Sequence, residues 1–434
     1  MIKRKRLIGR RGFLRSTAAA LGAVATPQVI PASALGAGGV APPSERVTMG
    51  WVGVGGQSGG HLFGTHWTYL PGGYLARPDV QVLGVCDVIE DRRHDAARRV
   101  NQHYAARYGN GNYRSCTAYF DFVEMFARDD IDAVLLGTAA HWHALMSIMA
   151  AEAGKDVFVE KPTALTLAES RAVVRAVARY GRVFQAGTQQ RSEYGGVFRR
   201  ACELVRSGRI GKLETVYANH QGGMFRAIRY DGSPPATIDP AWDRWLGPAP
   251  YFPGGVPMDP HRLGFGGINW GQHYFDIVDW GIGPERAGPV EVGPRHFQYA
   301  DGVVVHAENS PYAFDKSVGP GGPCFVGSDG KIAVGRNGIS ADPPELLDEP
   351  LGANDVRLYY STSHSGNFLD CVKTRKQPIC DAESTHRSVS LMLLGGVAME
   401  LNRTLQWDPI QEEFIDDHEA NRLRSYATRE PWRI

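Results

Sequence analysis

Several things are scarce in this 434-residue sequence, and each scarcity narrows the reading. Beyond the N-terminus, no apolar run approaches the ~20 residues a membrane-crossing helix needs, so no span and no membrane partner are expected. The formal net charge is only +1, which offers no bulk attraction to nucleic acid or to an acidic membrane. The six cysteines (86, 116, 202, 324, 371 and 380) form no CxxC pair and no metal-ligand spacing, so buried free thiols are expected in place of a disulfide frame or metal centre. No internal repeat is visible. What is plentiful is glycine, 52 residues, against 43% hydrophobic and 21% charged residues, the balance of an ordinary globular chain. The length suits two domains with appendages.

Basic residues crowd the start. Lys3, Arg4, Lys5 and Arg6 precede Arg10-Arg11-Gly12-Phe13-Leu14-Arg15 and an Ala-rich stretch. A paired arginine followed by a weakly apolar segment resembles a twin-arginine export signal. Ala32-Ser33-Ala34 supplies small residues for cleavage. The expected organisation is a signal peptide over 1–34, a linker over 35–45, a nucleotide-binding domain over 46–187, an α+β domain over 188–405 and an irregular tail over 406–434. The exported protein is expected to be soluble, in the periplasm or outside the cell.

Between 47 and 187, apolar runs alternate with helical stretches. Strands are read at 47–52, 80–86, 133–137, 156–159 and 182–187, and helices at 94–108, 122–128, 143–153 and 167–180. That alternation implies βαβ units and a parallel, Rossmann-type sheet. From about residue 211 the rhythm changes: strands at 213–218, 302–307 and 331–334 and a helix at 383–402 predict an α+β domain on a largely antiparallel open sheet. Residues 222–266, rich in Pro, Gly and aromatics, are expected to form long ordered loops.

Gly53, Gly55 and Gly59 follow the first strand, as a phosphate-binding turn requires. The spacing is one residue longer than G-x-G-x-x-G, with Ser58 at the third glycine's place. Asp87 ends the second strand, where a carboxylate can hold the ribose hydroxyls of NAD and repel the 2′-phosphate of NADP. Arg92 and Arg93 nearby keep NADP open. Its distance from the glycines is attributed to an inserted loop over 61–78. Lys161 stands just past a strand of the same sheet, where burial beside a nicotinamide would lower its pKa and suit it to acid/base work.

Glu160-Lys161-Pro162 then joins other strings. The stretch 132–144, with Thr138-Ala139-Ala140-His141-Trp142-His143, is similar to the strand and T-P-x-H-x-H turn of the glucose–fructose oxidoreductase/inositol dehydrogenase (Gfo/Idh/MocA) family, with Ala139 in place of proline. Ala153-Gly154-Lys155-Asp156-Val157-Phe158-Val159-Glu160-Lys161-Pro162 follows that family's A-G-K-x-V-x-x-E-K-P. Gly187-Thr188-Gln189-Gln190-Arg191 resembles a turn of its exported members, and the resemblance spans essentially the whole chain after the signal. It implies that Thr138, His141, His143, Glu160, Lys161 and Gln189 serve the nucleotide, and that His273 orients or deprotonates the reacting hydroxyl beside Lys161. Asn269 stands where the family commonly has Asp; it can hydrogen-bond substrate but not act as a base. Asp276 is expected to be structural, capping or pairing inside its helix, and Trp242, Trp245 and Trp280 to pack. His141 and His143 have H-x-H spacing, but the expectation is contact with the nucleotide or packing, and no metal.

Three functions follow in order. The first is an NAD(P)-dependent oxidoreductase acting on a hydroxyl of a sugar or polyol, with a tightly held, recycled NAD. The second is an NAD-dependent glycosidase working through transient sugar oxidation, with Tyr217, His220 or His364 as further acid/base candidates. The third is a non-catalytic binding protein. A homo-oligomer is expected from the family's open sheet.

Overall fold

The computed structural model describes residues 42, 45–65, 69–220, 240–249, 267–312 and 317–434, with side chains in the helix starting at 267 described from Trp270. The signal segment, most of the linker and most of the 222–266 stretch therefore lie outside the described residues. Val47–Ile434 forms one compact unit.

The first half builds a six-stranded sheet in the order β3-β2-β1-β4-β5-β6. Its strands are β1 (Val47–Val52), β2 (Val80–Cys86), β3 (Thr117–Tyr119), β4 (Ala133–Leu136), β5 (Asp156–Val159) and β6 (Phe184–Ala186). Every pairing in it is parallel. This is the doubly wound order, whose reversal point between β1 and β4 opens a crevice at the strands' carboxyl ends. Successive strand residues face opposite sides. Met49, Trp51, Leu135 and Phe158 enter one apolar cluster, while Val52, Leu136, Val157 and Val159 enter the other. Burial on both faces explains why these strands read as continuous apolar runs.

The connecting helices are α1 (Gly56–Phe63), α2 (Gly73–Ala76), α3 (Glu90–Tyr108), α4 (Phe122–Phe126), α5 (His143–Glu152) and α6 (Leu167–Tyr180). Helix α6 has the bounds the sequence predicts because both ends are chemically marked. Thr166 and Glu169 form a reciprocal capping box, and Gly181 closes the helix at φ 61°. The expected loop over 61–78 is shorter than predicted. Helix α1 runs through Phe63 before Gly64 ends it, and α2 occupies part of the remainder.

Downstream, α7 (Val197–Arg206), α8 (Pro240–Leu246), α9 (Gly267–Ile282), α10 (His364–Thr374), α11 (Ala382–Leu401) and α12 (His418–Arg422) accompany nine described strands. These are β7 (Leu213–Tyr217), β8 (Pro289–Val292), β9 (His296–Tyr299), β10 (Val304–His306), β11 (Cys324–Gly327), β12 (Lys331–Gly335), β13 (Gly338–Asp342), β14 (Leu405–Asp408) and β15 (Glu413–Phe414). Their order is β13-β12-β11-β7-β10-β9-β8-β14-β15, antiparallel except between β7 and β10. The open, largely antiparallel second sheet is thus as expected. The tail is irregular only over 423–434: before that, β14 pairs with β8 and β15 with β14, because Leu405, Trp407 and Phe414 alternate inward onto the core. All six cysteines are buried, and none of them forms a disulfide.

Candidate active site

A cavity of about 460 Å³ opens at the β1/β4 reversal point. Its floor is the glycine turn. Gly53 has φ +77°, and a Cβ there would stand 2.7 Å from the Gly137 carbonyl oxygen, so no other residue fits without strain. Gly55, Gly56 and Gln57 at the start of α1 also line the cavity. That helix start has neither a capping side chain nor an acidic residue, which leaves its first N–H donors for an anion. Ser58, at the third glycine's position, is buried against Gly137, where a Cβ would meet it at 2.4 Å. The close helix–strand approach is thus supplied by Gly137, on the other partner. Gly59 lies inside α1, behind the cavity wall.

Asp87 lines the cavity from the end of β2. Its carboxylate accepts from the Val54 N–H (3.0 Å) and the Ile89 N–H (2.9 Å), which fixes it beside the glycine turn. Arg92 lines the same wall, its Nη1 3.5 Å from where a Gly55 Cβ would stand. Arg93 turns away, donating to the Asp87 and Val88 carbonyls. Thr138, His143, Glu160 and Lys161 line the opposite wall. The glycine cradle, the uncapped helix start and the ribose-height carboxylate fit a dinucleotide.

Glu160 is the hub. It is buried, yet its carboxylate takes a 2.8 Å hydrogen bond with His61 Nε2 and another from Gln189 Nε2 at 3.2 Å. Burial pushes its carboxyl upward, but the hydrogen bond and charge of His61, with Lys161 and His143, outweigh it and hold the pKa below the ordinary value. The carboxylate rests on Gly187, where a Cβ would come within 2.7 Å of Oε1. Lys161 follows at once. Burial lowers its pKa, Glu160 opposes that, and Arg336 adds to it.

Trp270, on the first turns of α9, lies close to both Lys161 and His273. Lys161 Nζ lies 5.8 Å from its ring centroid, and the His273 ring 6.0 Å. His273 is buried, and burial with the nearby cations Lys161 and Arg336 holds its pKa well below the ordinary value. It is therefore neutral, and among the described residues its Nδ1 has no hydrogen-bond partner. Asn269 lies one turn earlier on α9; its side chain is outside the described residues. Three contacts fix α9 to the segments that follow β5 and β6: the Thr163 N–H donates to Gln272 Oε1 (3.0 Å), Gln190 Nε2 donates to the His273 carbonyl (3.1 Å), and Arg191 and Asp276 form a buried pair at 2.8 Å. Asp276 is structural, as expected, but pairs outside its helix.

Other predicted residues have partners within the protein. His141 Nε2 meets the Trp245 carbonyl at 2.9 Å, and burial lowers its pKa to about 4. His143 Nδ1 faces the Pro162 carbonyl at 2.7 Å. His364 meets the Ala186 carbonyl and Ser192, and burial lowers it to about 4, so both ring nitrogens are spent on structure. Tyr217 stacks on His306 at 5.1 Å, and His220 lies 5.2 Å from Tyr274. Trp242 and Trp245 stack on each other, and Trp245 closes one side of the cavity with Arg244. Among the described residues no metal-binding cluster occurs. His61 and Arg336 join the site without a motif to mark them in the sequence. His61 lies one turn after Gln57 on α1, a weak spacing signal; Arg336 has none.

An α/β protein with a nucleotide crevice on its first sheet, where a lysine from that sheet meets a histidine from the second half, has the arrangement of a dehydrogenase. Two family models agree: residues 48–188 match the oxidoreductase family's NAD-binding Rossmann fold, and residues 231–434 its C-terminal alpha/beta domain. The chain belongs to the Gfo/Idh/MocA oxidoreductase family. Among curated relatives, a glycosyl hydrolase family 109 protein from Shewanella baltica is 30% identical over 221 residues, 48% of this chain and 44% of that protein. A relative of the same description from Shewanella sp. (strain ANA-3) is 31% identical over 177 residues, 40% of this chain and 35% of that one. The alignment spans less than half the length of these relatives. Among solved structures, the aldose-aldose oxidoreductase of Caulobacter crescentus, complexed with glycerol, covers 83% of this chain and 99% of its own at 17% identity and TM-score 0.52. The WlbA dehydrogenase of Bordetella pertussis, in complex with NADH and UDP-GlcNAcA, covers 84% and 98% at 18% identity and TM-score 0.52. Both share the fold.

Proposed function

We propose that the protein is an oxidoreductase that removes hydride from a hydroxyl-bearing carbon of a sugar or polyol, with NAD as the nucleotide. The observation that carries this is the meeting of Lys161 and a neutral His273 around Trp270, beside the glycine cradle. When bound, the nicotinamide supplies the hydride acceptor. Lys161, with its lowered pKa, takes the hydroxyl proton at Nζ, and His273 orients that hydroxyl through Nδ1. Glu160, held by His61 and Gln189, keeps Lys161 in place and limits the fall of its pKa. Asp87 at the ribose favours NAD; Arg92 on the same wall is the feature that would serve NADP.

The relatives named glycosyl hydrolase family 109 favour a second reading: transient oxidation, loss of a leaving group, addition of water and return of the hydride, for net hydrolysis. Its further acid/base group is not His364, whose nitrogens are engaged. Export by the twin-arginine route rests on Arg10-Arg11-Gly12-Phe13-Leu14. A homo-oligomer built on the open second sheet completes the proposal.

The test is to purify the folded protein, release its nucleotide by denaturation and identify it by mass spectrometry, then follow absorbance at 340 nm with polyols, sugars and chromogenic glycosides. Bound NAD with reduction by a polyol or sugar supports the first reading. Glycoside cleavage without net reduction selects the second. A protein that neither holds nor binds nucleotide overturns both.

A further inference from the structure

Arg336 sits in the two-residue turn between β12 and β13 and reaches into the site from the second sheet. Its guanidinium lies 5.1 Å from the Trp270 ring centroid and 5.4 Å from that of Tyr194. Its Nε donates to Gln190 Oε1 at 3.1 Å, and Gln190 Nε2 donates in turn to the His273 carbonyl. Gly321 makes room: a Cβ there would lie 2.7 Å from the Gln190 oxygen and 3.0 Å from Arg336 Nε. The cation is thus built into the site at a fixed place relative to His273.

This placement works against the protein alone. Arg336 adds to the burial that disfavours the charged form of both Lys161 and His273. Among the described residues no carboxylate forms an ion pair with it. Glu160, the carboxylate beside Lys161, is taken by His61 and Gln189, and Glu193 accepts from the His364 N–H at 2.8 Å. A cation that raises the cost of its neighbours, with no carboxylate paired to it among the described residues, suits an anion that arrives with the ligand. With Nε engaged, the two Nη groups offer an end-on fork, the geometry of a single carboxylate. Trp270, 43% exposed, and Tyr194 with its hydroxyl on Tyr69 add aromatic surface of the kind a pyranose ring lies against.

We propose that Arg336 is the docking residue for a carboxylate on the substrate, so that the site takes a hexuronic acid or uronide in preference to a neutral hexose. The inference rests on the oxidoreductase or hydrolase reading above, since it names the substrate class of the same site.

The experiment uses the nucleotide-loaded protein and tryptophan fluorescence, with calorimetry as a second readout. The ligands are glucuronate, galacturonate, glucose, galactose and glucose 6-phosphate. Each uronate should bind at least about tenfold more tightly than its matched hexose, the scale of a charge-assisted fork. Arg336→Gln should erase that difference and Arg336→Lys retain part of it, with melting temperature and nucleotide content unchanged. Equal binding of acid and hexose, no binding of either uronate, or a preference that survives in Arg336→Gln overturns the inference. A preference for glucose 6-phosphate over both uronates overturns the carboxylate assignment. The two proposals fail separately: uronate binding without any reduction or cleavage counts against the activity, whereas turnover of neutral sugars with no acid preference counts against Arg336.

Discussion

His61 and Glu160 lie 99 positions apart in sequence, yet share a 2.8 Å hydrogen bond with both side chains almost wholly buried. The pair ties α1, which carries the glycine turn, to the end of β5, which carries Lys161. Glu160→Gln keeps the shape but removes the charge that sustains the Lys161 ammonium. Lys161 should then lose its proton at lower pH. If the neutral amine is the base, the acid limb of kcat/KM for substrate oxidation moves to lower pH. A pH–rate profile checks this, and an unmoved limb would mean the Glu160 charge is not felt at Nζ.

Lys161→Met removes the amine and keeps an unbranched side chain of similar length. Turnover should fall by about 10²–10⁴-fold, the range for loss of a general acid or base. Nucleotide binding, carried mainly by the glycine turn and Asp87, should survive. Steady-state rates beside a fluorescence titration of the nucleotide separate the two, and wild-type turnover would remove Lys161 from the mechanism.

Gly187→Ala places a methyl group 2.7 Å from a Glu160 carboxylate oxygen. Glu160 has no room to retreat, being held by His61 and Gln189. The variant should be destabilised by about 1–3 kcal/mol, the usual cost of overpacking, seen as a lower denaturation midpoint. Activity should fall with it because Lys161 moves with its neighbour.

Glu412 joins His386 and Arg171, and Arg171 also reaches Glu383. Partial burial pushes the Glu412 carboxyl upward, but those partners outweigh it and lower its pKa to about 2 from the ordinary glutamate value near 4.5. A depressed carboxylate pKa stabilises the fold fully above the unfolded value and loses that effect as pH falls through the folded one. The contribution should therefore disappear between roughly pH 4.5 and pH 2. Thermal melts across that window should show a weaker acid dependence in Glu412→Gln than in the parent.

Much of the first sheet was legible because its strands are buried on both faces and its helices carry end signals. Val80–Cys86, Asp156–Val159 and Leu167–Tyr180 fall on their predicted bounds. The second sheet was less legible. Short strands such as β9, β11 and β13 owe their form to partners far along the chain. The site shows the same division. Gly53, Gly55, Asp87, Thr138, His143, Glu160 and Lys161 line one cavity, and each belongs to a local string readable in the sequence. Gly59, His141 and Gln189 stand behind its wall. Nothing local announces His61 as the partner of Glu160, or Arg336 as a neighbour of His273, because hairpin and helix bring them in from remote positions.

The attachment of α9 has a consequence for traffic through the site. Its links to Thr163, Gln190 and Arg191 follow one another within five residues of the helix, and the last is a buried ion pair. A helix pinned in that manner acts as a datum and not as a hinge. Any widening of the site as ligands pass has to come from elements other than α9, so His273 keeps its place relative to Thr163 and Arg191.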